Sequence, residues 1–104
     1  MKAVIPRALA RQDVDDAIDY YAGEAGEDIA LRFVDALRDA YRVISSRPAS
    51  GSPRFAQQLE LPGLRSRKLR RFPYLVFYIE RPDHIDVWRV LHAQRDIPNW
   101  MIEV

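Results

Sequence analysis

The chain has 104 residues, 48% of them hydrophobic, enough for one domain with its own core and too few for two. It holds no cysteine, which excludes a disulfide framework, a thiolate metal site and a cysteine nucleophile. A net charge of +1 hides an asymmetry: residues 1–47 carry seven Lys/Arg against nine Asp/Glu, and residues 48–104 carry nine against six.

In chain order, Lys2 to Ile5 is a short apolar run closed by Pro6 and reads as a first strand. It is far too short for a signal peptide, and no later run approaches the ~18 apolar residues of a membrane span. A soluble, cytoplasmic protein is expected. Ala10, Val14, Ala17, Ile18, Tyr21 and Ala25 then fall on one helical face. Asp13, Asp15, Asp16 and Asp19 load the early part of that helix, as its dipole favours, and Gly23 and Gly26 bracket its end. Ile29, Phe33, Ala36, Leu37, Ala40, Tyr41 and Ile44 form a second, cleaner stripe. The short link between the two patterns implies an antiparallel helical hairpin.

Pro48, Gly51 and Pro53 mark a loop to about residue 58. Leu64 to Arg70 is a basic strand. Tyr74 to Ile79 is wholly apolar and aromatic, as in a strand buried on both faces. Pro73 occupies the turn between them, Arg81 to His84 forms the next turn, and Ile85 to Leu91 is the last strand. Asp96 can cap a short terminal helix that Trp100 and Met101 would pin down. The order β-α-α-β-β-β predicts an α+β fold over residues 1–104. A helical hairpin covers one face of a small antiparallel β-sheet, with the first strand beside a three-stranded meander.

The order and spacing of several motifs resemble the RelE/ParE superfamily of toxins from bacterial toxin–antitoxin pairs. They are Ala10-x-x-Asp13-Val14, Phe33-x-x-Ala36-Leu37, Pro48-x-x-Gly51-x-Pro53-Arg54 and Leu61-Pro62-Gly63-Leu64-Arg65, followed by Phe72-Pro73-Tyr74-x-x-x-Tyr78. The segment Arg89-Val90-Leu91-His92-x-x-Arg95-Asp96-Ile97-Pro98 looks like the ParE branch. The resemblance implies a ParE-like toxin that poisons DNA gyrase and is neutralised by a ParD-like antitoxin in a hetero-oligomer. Nucleic acid would take part only indirectly. The alternative within the superfamily is a RelE-like, ribosome-dependent mRNA endoribonuclease, and a third possibility is a decayed toxin that only binds its antitoxin.

The residues themselves bear on that choice. Cleavage by a ribose 2′-hydroxyl needs a base, an acid and positive charge at the phosphate. His92 with Arg67, Arg89 and Arg95 could supply them, although His92 equally suits a strand-end histidine bonded to nearby backbone or a contact with a partner. RelE-type nucleases resemble one another in a tyrosine or His-Tyr pair near the C-terminus. Residues 97–104 contain neither, which argues against the enzyme, and Glu60 reads better as a surface residue than as a base. The four glycines are scattered, so no phosphate loop is present, and the two histidines lack metal-ligand spacing. No catalytic residue, metal or cofactor is assigned. The acid-free run Arg65, Arg67, Lys68, Arg70, Arg71 reads as a solvated face or as a surface for an anionic partner. On a regular strand Arg65, Arg67 and Arg71 would share a face. Arg89, flanked by Val87 and Leu91, calls for a carboxylate, either internal or from the antitoxin. The expected antitoxin- or target-binding residues are therefore Arg65, Arg67, Arg71, Arg89, His92, Arg95 and Trp100.

Overall fold

A computed structural model describes residues 1–95 and 97–102. Strand β1 (Ala3–Pro6) runs straight into helix α1 (Ala8–Ala25), and α2 (Glu27–Ser46) follows after a single residue. That residue is Gly26, at φ 95, a backbone angle that glycine adopts without a steric penalty. The expected loop instead holds a 3-10 turn (Pro48–Ser50) and a short helix α3 (Arg54–Gln58). Strands β2 (Leu64–Lys68), β3 (Tyr74–Glu80) and β4 (His84–His92) complete the sheet, and α4 (Ile97–Ile102) ends the described chain. The proposed capping role of Asp96 lies outside the described residues.

The sheet order is β1-β4-β3-β2. The meander β2-β3-β4 is antiparallel as expected, but β1 joins β4 in parallel, so the sheet is mixed. Helices α1 to α3 and strands β2 and β3 separate those two strands in the chain, and no tight turn dictates their relative direction.

Both faces of the sheet are covered. On one side the hairpin inserts Phe33, Ala36, Leu37, Ala40 and Ile44 against Val76, Tyr78, Ile85, Val87 and Val90. Phe33 is fully buried, which contributes roughly 1.5–3 kcal/mol. On the other side Phe55 of α3 and Ile97 and Met101 of α4 cover Leu64, Phe77, Ile79 and Leu91. Tyr78, fully buried in β3, donates to Pro48 O at 2.7 Å and so ties the connecting loop to the sheet. Gly51 completes that contact, since any Cβ there would run into the Tyr78 hydroxyl.

A bulge in the β3–β4 pairing corrects one expectation about β4. Phe77 pairs with Arg89 and Tyr78 with Val87, which leaves Trp88 as the extra residue. The alternation resets there: Val87 faces the hairpin and Leu91 faces the opposite side, so they do not flank Arg89 on one face.

A cationic rim, an aromatic cleft and a buried ion pair

The seven residues expected to bind a partner separate into three places. Arg89 is interior, with 2% of its surface exposed. Its Nε and Nη2 donate to the two carboxylate oxygens of Asp13 at 2.7 Å each, and Nη1 donates to Trp100 O at 2.9 Å. Asp13 also accepts the backbone N–H of Val90. Arg89 is thus removed from the expected binding set. Its partner is an internal carboxylate, and the pair joins α1, β4 and α4. Asp13 is corrected with it: α1 begins at Ala8, so this aspartate lies past the first turn and serves the arginine rather than the dipole.

Arg65, Arg67 and Arg71 belong to the β2 end of the molecule. Arg65 and Arg67 pair with Tyr78 and Val76, both of which belong to the hairpin-side core. Arg65 Nη1 donates to Gly51 O at 2.8 Å, and Arg67 Nη1 reaches Ser50 Oγ at 3.5 Å. The expected three-residue alternation stops at two, because β2 ends at Lys68. Arg71 lies beyond it, exposed, in a turn where its φ is 68.

His92, Arg95 and Trp100 meet around a cleft of about 670 Å³ between α1, the ends of β3 and β4, and α4. Tyr20, Tyr21 and Tyr74 complete its aromatic lining. Arg95 lies over the Trp100 ring at 4.2 Å, and the His92 and Tyr74 rings are 5.3 Å apart. Burial pushes the Tyr21 and Tyr74 phenols upward, so both are neutral hydroxyls at pH 7. His92 Nδ1 accepts the backbone N–H of Gln94 at 3.1 Å. In the neutral ring the proton therefore sits on Nε2, which makes that nitrogen a donor and leaves the ring without a free lone pair for a base.

Sequence reasoning missed Tyr20 in the wall of this cleft. Tyr20 falls off the apolar stripe of α1 and is 59% exposed, and an aromatic off the stripe was the available signal. Among the described residues no group of three His, Asp or Glu converges as a metal site would require. No helix among them is long and apolar enough to cross a membrane.

The geometry defines a class: a small α+β domain with a helical hairpin over one face of a four-stranded mixed sheet, and guanidinium groups at its exposed edge. Residues 4–97 match the family described as the ParE toxin of the type II toxin-antitoxin system, parDE. The chain belongs to that family. A solved structure titled as a chromosomal ParDE TA system from P. aeruginosa has the same fold. Its TM-score is 0.74 at 22% identity, covering 90% of this chain and 98% of that one. No curated protein matches the sequence.

Proposed function

We propose that this toxin acts in the cytoplasm by binding and poisoning DNA gyrase, which inhibits growth, and that a ParD-like antitoxin holds it inactive in a hetero-oligomer. The observation that carries this reading is the state of the exposed cations. The side chains of Arg70, Arg71 and Lys68 are exposed and make no hydrogen bond or ion pair with the described residues. Such groups stay ready for the carboxylates of a partner, and they contribute to the rate and specificity of docking. The Nδ1 contact of His92 also favours docking over base catalysis. The gyrase target itself rests on family membership.

The cleft favours a second reading, a RelE-like ribosome-dependent endoribonuclease, because it gathers an imidazole, a guanidinium and phenols in one hollow. A gyrase supercoiling and cleavage assay, run beside a translating-ribosome assay, separates the two. Gyrase inhibition with intact mRNA is expected. Ribosomal mRNA cuts that disappear in His92→Ala would establish the second reading instead. Silence in both assays with tight antitoxin binding would identify a toxin that has lost its activity.

A further inference from the structure

The turn joining β2 to β3 carries a residue that its backbone does not favour. Arg71 is held in the left-handed region at φ 68, where a Cβ crowds the chain and glycine does not. Its side chain is exposed and makes no hydrogen bond or ion pair with the described residues, so no contact within the fold offsets that strain. Stability alone would favour glycine at this position. Glu60 shares this strain at φ 53, so strain alone does not mark a binding residue, and what sets Arg71 apart is the groove it lines.

The surroundings indicate what would bind. A groove of about 470 Å³ separates the turn from α2, with Ile29, Ala36 and Phe72 as its apolar lining. Phe72 is fixed there by edge-to-face contacts with Tyr21 and Phe33, at 5.1 and 5.4 Å between ring centres. Arg32, Arg70 and Arg71 stand around this floor. A second hollow of about 290 Å³ shares Ala36, Asp39 and Arg70 with the first and adds Arg42, Arg67 and Lys68. Along this seam six cations face two carboxylates, Asp35 and Asp39. Asp39 is already engaged by Arg42 at 2.8 Å. The excess of four positive charges contrasts with a net charge of +1 for the whole chain.

We infer that the β2–β3 turn is a recognition element, and that the groove takes an acidic, amphipathic segment of the antitoxin. An apolar side chain of the segment sits on Ile29 and Phe72 while its carboxylates meet Arg32, Arg70 and Arg71. This rests on the reading that the toxin has a ParD-like partner. A phosphate backbone would use the cations alone, whereas an apolar floor between guanidinium groups suits an amphipathic peptide.

The test uses the toxin and the antitoxin purified from their coexpressed complex. Arg71→Gly relieves the strain, so the Tm of the free toxin is expected to rise by about 4 °C. Its affinity for the antitoxin is expected to fall about tenfold at low salt, with a smaller loss at high salt. Glu60→Gly is the control, because Glu60 is exposed with φ 53 and lies away from the groove. It gains stability with unchanged affinity. The pair Arg70→Glu and Arg71→Glu together weakens binding further. Wild-type affinity in these groove variants, or no rise in Tm for Arg71→Gly, would overturn the inference. So would loss of binding to a fluorescent DNA duplex while antitoxin binding persists. A wild-type toxin that does not bind the antitoxin would instead remove the parent reading, and the two failures are distinguishable.

Discussion

Arg89 lies at the centre of the molecule and Arg71 at its edge, and the same guanidinium does opposite work in the two places. Arg89 is enclosed and satisfied by two Asp13 oxygens and the Trp100 carbonyl. Arg71 is exposed, strained and without an ion pair to the described residues. Between them stand Arg7 and Arg81, which share the buried Asp86 but keep 38% and 41% of their side chains exposed. Arginine count therefore says little about binding capacity. What matters is whether a carboxylate of the fold has already taken the fork.

The sharpest way to break this comparison is to strand the interior arginine. Asp13→Ala leaves a guanidinium buried without its counter-charge, and removing one partner of such a pair typically costs about 3–5 kcal/mol. Urea unfolding is expected to show a loss of that size, with α4 loosened because Arg89 also holds Trp100 O. An equal loss in Arg89→Met/Asp13→Leu would show that packing, and not the stranded charge, sets the cost. A cost below about 1 kcal/mol for Asp13→Ala would place Arg89 in the same class as the rim arginines.

The contrast between centre and edge also explains what the sequence revealed. The stripe from Ile29 to Ile44 and the apolar run Tyr74 to Ile79 announced α2 and β3 directly, because buried surface imposes a period or its absence. The helix α3 was read as loop because prolines flank a segment of five residues, and Phe55 is its one buried side chain. Tertiary contact with Phe77, at 5.3 Å between ring centres, decides its place. The bulge at Trp88 changed which residues share a face with Arg89, and nothing local in the run Ile85 to Leu91 marks it. The pairing of Asp13 with Arg89 spans most of the chain, so only the fold could reveal it. The rim was visible as an acid-free basic run, but its geometry depended on where β2 ended.

A smaller effect tests how the sheet fixes that rim. Arg65 is oriented by Gly51 O, and Gly51 is packed against the buried Tyr78 hydroxyl. Gly51→Ala places a methyl group where that hydroxyl lies. Overpacking of this kind costs about 1–3 kcal/mol, and the backbone at Gly51 is extended, so sterics alone supply it. The urea midpoint is expected to fall accordingly. Unchanged stability would mean that the loop moves freely, and that Arg65 is set by something other than the sheet.

The smallest expected effect concerns the intermediate arginines and appears as pH dependence. Burial alone would raise the Asp86 pKa, but hydrogen bonds from Arg7, Arg81 and Trp88 more than offset it and hold the carboxyl below its ordinary range. The folded state thus binds a proton at this site less readily than the unfolded chain. Asp86 contributes its full stability above the unfolded carboxylate pKa of about 4, and the contribution is lost as pH falls through the lower folded value. Asp86→Asn removes the charge. With half-exposed partners the cost at neutral pH is about 1 kcal/mol. The gap between variant and wild type is expected to narrow as pH drops below about 4. Were the gap constant down to the acid-unfolding region, the arginines would be orienting the amide and carboxylate equally well. Asp86 would then act through packing, and the graded series from Arg89 to Arg71 would reduce to two classes, buried and free.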